Sequence, residues 1–436
     1  MEILIEKLAF GGAGLGRVDG KVCFVPFTAP GDLAKVWVTR SRKSYQEGEL
    51  LDLIRPAAVR TAPPCGAFGQ CGGCCWQHLP YDVQVKAKQD IFAETLGRIA
   101  RVQPDVFLPM IPSPSPLGYR SRVQFKVRSA EDGLHCGFYR RGSHYVIDIP
   151  GGCLIADDRV NLLYESLLPL LGAFPDPARL PQIDVAVGDD GGALLLFHYI
   201  GEAIPEVSKW LEKTIPGRMP VTGVFLQTAR KVSMRKVWGE ERVSYSIPSN
   251  LYPELPEIRL SFRCGGFSQV NYSQNLALIG TALEWADLKG TEKVLDLFCG
   301  NGNFSLPISR FCGEVTGIED FRQSIEDAVH NARQNLIPNT RFSCAPAEKA
   351  LRCMADAGER FDLVLLDPPR TGAFEAVRII AEMSPEKILY VSCDPATLAR
   401  DIAELRKRGY QVAVVRAVDM FPQTHHIESI TLLRKT

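Results

Sequence analysis

The sequence predicts three units in series. A small closed β-barrel covers residues 1–56, an α+β central domain covers 57–261, and a doubly wound α/β domain covers 262–436. Three observations carry this reading. Short apolar runs separated by glycine turns fill the first unit without helical periodicity. A stretch rich in Cys, Gly and Pro follows over residues 57–80. From Phe262 onward, strand-length apolar runs alternate with amphipathic helical runs, as in a mostly parallel sheet. At 436 residues the chain has room for two or three domains.

In the first unit, Ile3-Leu4-Ile5, Val22-Cys23-Phe24-Val25-Pro26, Lys35-Val36-Trp37-Val38 and Glu49–Ile54 read as strands, with Gly11–Gly16 and Asp19-Gly20 as turns. Five short strands in this length suggest a barrel of the oligonucleotide-binding type. Thr39–Tyr45 reads as a basic loop with an aromatic, suited to phosphate and base contact. Composition fits a solvated hairpin loop equally well. Tyr81–Arg101 has the spacing of an amphipathic helix, with Val85, Ile91, Phe92, Leu96 and Ile99 among its apolar positions. In the central unit, Val123–Val127, Tyr145–Ile149, Ala193–Phe197 and Val221–Leu226 read as strands, interrupted by one helix over Asp158–Leu171. Tyr119–Tyr145 carries six Lys or Arg against two acidic residues, which suits phosphate contact or an ordinary solvated strand pair.

Hydrophobic content of 46% and charged content of 23% are those of an ordinary globular chain. No apolar run reaches about 18 residues, so no membrane span is expected. The first residues lack a secretory pattern, and the cytoplasm is the expected compartment. There the thirteen cysteines stay reduced, and clustered ones point to metal binding or catalysis before disulfides. A net charge of zero gives no argument for nucleic acid.

The third unit opens its chemistry with Lys293–Leu297, a buried strand, followed by Phe298-Cys299-Gly300-Asn301-Gly302-Asn303 and a helix start. Glycines there let backbone approach a ligand closely. Glu314–Glu319 is a second strand ending in an acid, placed to accept both hydroxyls of a ribose. A dinucleotide fingerprint needs a third glycine near Leu306, and none is present. Asp-x-Phe-x-Gly-x-Gly instead resembles the first motif of S-adenosylmethionine methyltransferases. Phe361–Leu366 is a further strand, and Asp367-Pro368-Pro369-Arg370 falls at its carboxyl end.

Two more segments narrow the chemistry. Lys387–Cys393 is an apolar run that ends in a thiol, where open α/β sheets bind ligands. Asp419-Met420-Phe421-Pro422-Gln423-Thr424-His425-His426-Ile427-Glu428 precedes the last strand. With Ser392-Cys393-Asp394-Pro395, this segment closely resembles the RNA uracil-5 methyltransferase family, matching Asp-x-Phe-Pro-x-Thr-x-His-x-Glu at every fixed position. The likeness spans the chain: residues 1–56 resemble the TRAM domain, and Gly265–Asn271 resembles the cofactor-binding lead-in.

The resemblance implies Cys393 as nucleophile on carbon 6 of uracil and Glu428 as the base that removes the carbon-5 proton, with His426 orienting. A thiolate addition is what makes the otherwise unreactive carbon 5 nucleophilic. The resemblance also implies S-adenosylmethionine contacts at Gln269, Phe298, Asn303, Glu319 and Asp367. Residues 341–348 lack the side-chain amide or aspartate that usually holds the adenine amine, so a backbone group is expected there. An amino-group methyltransferase would carry an aromatic where Arg370 stands. Cys65, Cys71, Cys74 and distant Cys153 form a four-thiol set that by count and spacing suits an iron–sulfur cluster or zinc alike. Resemblance to cluster-bearing members implies [4Fe-4S], with Cys75 a bystander. The expected partner is RNA, with ribosomal RNA favoured and transfer RNA open, and the expected working unit is a single chain.

Overall fold

The computed structural model describes residues 1–228 and 234–436. The first unit is a closed five-stranded barrel in which Leu33–Ser41 seals against both Glu2–Leu8 and Tyr45–Arg55. Alternation explains its interior: Ile3, Ile5, Cys23, Val25, Ala34 and Val36 point inward as a small core of their own. The basic segment is mostly strand. Thr39–Ser41 ends one strand, Tyr45 begins the next, and only Arg42–Ser44 turn between them.

The central unit is a seven-stranded sheet backed by two helices, Asp158–Leu171 and Ile204–Thr214. Its apolar face, including Phe125, Leu195, Phe197 and Val224, closes on Val160, Leu163, Leu167, Val207 and Leu211. The second helix is a feature the apolar pattern did not indicate. It is 11 residues long and carries Pro205 in its first turn, where a missing amide costs nothing.

The third unit is an eight-stranded sheet. Its strands run in the order Thr340–Cys344, Glu314–Glu319, Lys293–Leu297, Leu363–Leu366, Lys387–Ser392, Glu428–Lys435, Tyr410–Val418 and Phe107–Ile111. The first five are mutually parallel, while Glu428–Lys435 runs antiparallel between its neighbours. Phe107–Ile111 pairs in parallel with Tyr410–Val418. The edge strand of this sheet thus comes from the stretch the sequence pattern placed in the central unit. The helix Tyr81–Ala100 goes with it: Ile91, Phe92 and Leu96 share one core with Leu398, Ile402, Leu405 and Tyr410. Both departures have the same cause. An amphipathic helix and a short apolar strand need an apolar surface, and the nearest one in space is supplied some 300 residues further along. Among the described residues, no helix is long and apolar enough to cross a membrane.

Candidate active site

The site forms where four adjacent strands end together. Leu297 pairs with Leu366 and Leu366 with Tyr390, so Phe298, Asp367 and Cys393 leave the sheet at one edge. Ser392 pairs with Ser429 on the antiparallel strand. Cys393 follows one residue of that pair and Glu428 precedes the other, near enough for the Glu428 charge to act on the thiol. The neighbouring helix Pro395–Lys407 begins at once because Asp394 accepts the Ala396 and Thr397 amides, both at 2.9 Å. That cap fixes where the thiol leaves the strand.

The electrostatics of this edge are unusual. Glu428 is 3% exposed, and its carboxyl is held well above the usual range by burial and by Asp367, with Arg370 opposing. Asp367 is pushed up to about 7 by burial and then by Glu319. Burial pushes the Cys393 thiol up to about 12, with Glu428 and Asp367 adding to the rise and Arg370 lowering it. Glu428 and the Cys393 thiol thus share the neighbourhood of one guanidinium. Arg370 also places a nitrogen 3.4 Å from His426 Nε2, which accepts in the neutral ring. His426 is pushed down to about 3, by burial first and then by His425 and Arg370.

The neighbouring crevice is built around the glycine turn. Glu319 is anchored by the Phe321 amide at 3.0 Å and the Gly300 amide at 3.3 Å. Burial raises its carboxyl. Gly300 and Gly302 adopt φ of 55° and 90°, and nothing lies within 4 Å of where a Gly300 side chain would sit. Phe298 holds φ at 61°, a left-handed conformation costly for an aromatic residue. Gln269 Nε2 reaches Asp367 Oδ2 at 3.4 Å. Asn303 is tied into protein: its amide exchanges bonds of 2.8 and 2.9 Å with Asn275, and Tyr245 donates to it at 3.0 Å. The Ala345 amide is committed to Glu319 carbonyl at 2.9 Å, which removes one backbone candidate for adenine.

Asp296 went unnoticed as a site residue. It is 1% exposed beneath the turn, Ser305 donates to its Oδ2, and its Oδ1 has no partner. Burial pushes it up to about 7. The signal in the sequence was an acid inside an otherwise apolar strand, Lys293–Leu297.

The four nominated cysteines meet in space. Cys65, Cys71, Cys74 and Cys153 line one cavity of about 480 Å³. Cys74 is pushed up to about 12 by burial, with Cys153, Cys71 and Cys65 each adding to the rise. Among the described residues, no three His, Cys, Asp or Glu side chains are grouped to hold a single metal ion. Cys75 lies outside this cavity, with its Sγ 3.6 Å from His425 Nδ1. Arg120, Arg122 and Lys126 are half-buried and line the cavity, and Arg122 donates to the Gly266 carbonyl.

A doubly wound sheet with a glycine turn after its first strand, and a thiol and carboxylates at its carboxyl edge, defines a methyltransferase of the nucleotide-crevice class. The chain belongs to the RNA uracil-5 methyltransferase family and is an RNA (uracil-5-)-methyltransferase. The family model described as tRNA (Uracil-5-)-methyltransferase matches residues 80–436, and the TRAM domain model matches residues 1–51. A 23S rRNA (uracil(1939)-C(5))-methyltransferase of Acidithiobacillus ferrooxidans is 38% identical, covering 100% of this chain and 97% of its own. An RNA methyltransferase of Thermosynechococcus vestitus is 34% identical, covering 99% and 97%. In fold, the chain is similar to the tRNA (uracil-54, C5)-methyltransferase of Pyrococcus abyssi, at TM-score 0.74 and 23% identity over 99% of this chain and 100% of that one.

Proposed function

We propose that this enzyme methylates carbon 5 of a uridine in 23S ribosomal RNA, with S-adenosylmethionine as methyl donor, through a covalent adduct on Cys393. The observation that supports the reading is the gathering at one sheet edge of Cys393 and Glu428, flanking the Ser392–Ser429 pair, with Asp367 after the adjoining strand and Arg370 as the nearby cation. The crevice suits the donor. Glu319 offers a carboxylate to a ribose, Gly300 leaves room for close approach, and the orphaned Asp296 Oδ1 is an acceptor for an ammonium. Gln269 and Phe298 flank the same edge, and Asn303 acts there through its buried amide pair. When bound, the donor supplies an electrophilic sulfonium methyl.

Cys393 loses its proton to water and adds to carbon 6, and the π pair moves to give an enolate that is nucleophilic at carbon 5. After carbon 5 takes the methyl group, Glu428 accepts the proton from carbon 5. The pair from that C–H bond reforms the ring double bond as the S–C6 bond breaks and the thiolate leaves. A buried carboxylate with a raised pKa suits removal of such a proton. Arg370 lies near both Cys393 and Glu428 and opposes the build-up of negative charge at this edge.

The four cysteines would hold a [4Fe-4S] cluster. The reading is supported by the convergence of four thiols on one cavity and by the resemblance to cluster-bearing members of the family. When bound, such a cluster would tie the loop of Cys65–Cys74 to the turn at Cys153. A groove with aromatic and basic lining suits single-stranded RNA. Phe10, Phe24, Phe27, Tyr45, Arg140 and Arg141 line a groove of about 970 Å³ between barrel and central unit, with the Arg141 guanidinium 4.7 Å from the Phe27 ring. The ribosomal preference is supported by full-length relatives named for 23S rRNA at 32–38% identity.

The test is RNA containing 5-fluorouridine incubated with enzyme and S-adenosylmethionine. Fluorine blocks the final elimination, so a denaturation-resistant RNA–protein species should form with the wild type and vanish with Cys393→Ala. Absence of that species with the wild type sinks the adduct mechanism. Mapping 5-methyluridine in RNA from a deletion strain decides between ribosomal and transfer RNA.

A further inference from the structure

The helix Tyr81–Ala100 has two buried polar side chains one turn apart, Gln84 and Lys88, both fully excluded from solvent. Packing alone would place apolar residues at both positions. Each aims at the loop Asp419–Ile427, which leads directly into Glu428. Lys88 Nζ donates to Asp419 Oδ1 at 2.6 Å and to the Phe421 carbonyl at 2.9 Å, and neither charged side chain is exposed at all. That carbonyl also takes the Thr424 hydroxyl at 2.8 Å, so Lys88 grips the turn at its start and at its middle. Asp419 Oδ2 has no partner, which leaves Lys88 as the cation that compensates this carboxylate.

Gln84 grips the far side. It accepts from the Gln423 amide at 3.0 Å and donates to Gln423 Oε1 at 2.9 Å, while also holding the Leu79 carbonyl at 2.9 Å. Gln423 sits at φ 68°, a conformation that persists only when its surroundings over-determine it. Its carbonyl accepts the amides of Cys75 and Trp76 at 3.0 and 3.1 Å.

We propose that Lys88 and Gln84 are positioning residues that hold the Asp419–Ile427 loop so that Glu428 meets the proton on carbon 5 after methyl transfer. The inference rests on the assignment of Glu428 as base. It adds that the base is placed by a helix more than 300 residues away in sequence. Loosening this grip leaves the Cys393 strand and the crevice intact, because the strand that ends before Cys393 is also held by Leu363–Leu366 and Asp394 caps the helix that follows. Addition and methyl transfer then proceed while proton removal fails. The methylated adduct on Cys393 accumulates, with the proton still on carbon 5 and the S–C6 bond unbroken.

Three full-length variants test this: Lys88→Met, the double variant Lys88→Met with Asp419→Asn, and Gln84→Leu. The double variant removes both buried charges, so it remains informative if the single lysine variant fails to fold. Each is assayed on a 23S RNA transcript with ordinary uridine for turnover, for the gel-stable RNA–protein adduct, for S-adenosylmethionine affinity and for melting temperature. The expected result is turnover lower on the order of 10²-fold, as for a displaced catalytic group. Adduct should accumulate beyond the wild-type level, with donor affinity unchanged. Wild-type turnover in a folded double variant overturns the proposal, since Lys88 would then only neutralise Asp419. Adduct formation falling in step with turnover overturns it too, because the fault would precede proton removal. The wild type with 5-fluorouridine RNA separates the two levels. No adduct there defeats the mechanism itself, whereas adduct there with variants that behave as wild type defeats only the positioning role.

Discussion

Replacing Asp296 by Asn should stabilise the protein at alkaline pH while weakening the methyl donor. Asp296 is buried beneath the glycine turn with one carboxylate oxygen unpartnered. Burial lifts it from 3.8 to about 7. A folded-state value above the unfolded one means the folded chain prefers the protonated acid. Its stabilisation is therefore full below pH 3.8 and is lost as pH rises toward 7. A rise of about three pH units corresponds to about 4 kcal/mol at pH 8. Asn keeps an acceptor for Ser305 and carries no charge, so it escapes that cost. The assay compares wild type and Asp296→Asn by thermal and urea unfolding at pH 5 and pH 8. The variant's margin over the wild type should grow by about 3 kcal/mol between pH 5 and pH 8. Donor affinity should fall by roughly 10- to 100-fold, the loss of one charge-assisted bond to an ammonium. A stability difference that does not change between the two pH values, or a variant weaker at pH 8, would refute the reasoning.

Alkylation of Cys393 in the free enzyme, followed by peptide mass spectrometry, should rise about tenfold per pH unit between pH 7 and 9, since only the thiolate reacts. A plateau in that range would show a thiol already ionised at rest. Cys153→Ser should release the iron bound by anaerobically purified protein and bleach its colour; stoichiometric zinc in the colourless wild type would count against the cluster. Gly317→Ala should destabilise by about 1–3 kcal/mol, because its new methyl would meet the Phe342 ring at 2.5 Å and Cys299 Sγ at 3.0 Å in a buried strand. Unfolding curves matching the wild type would show that Phe342 yields freely.

What was readable in the sequence is what a sheet makes local. Parallel strands joined by right-handed crossovers bring their carboxyl ends to one edge. Cys393, Asp367, Phe298 and Glu319 could therefore be placed from the residues that close each strand. The barrel was legible because a period of two, interrupted by turns, has few other solutions. Alternation of helices and strands from Phe262 marked the doubly wound sheet for the same reason.

Tertiary structure decided what depends on distant partners. Nothing in the spacing of Tyr81–Ala100 says that its apolar face packs on Leu398 and Ile402, or that Phe107–Ile111 completes the C-terminal sheet. Lys88 looks like a solvated charge until Asp419 is seen 2.6 Å away with both side chains sealed from water. Convergence of Cys153 with Cys65, Cys71 and Cys74 in one cavity likewise needed the fold. Periodicity reports which residues seek burial. Which surface buries them, and which charge must then be paired, is settled only when segments hundreds of residues apart compete for the same apolar face.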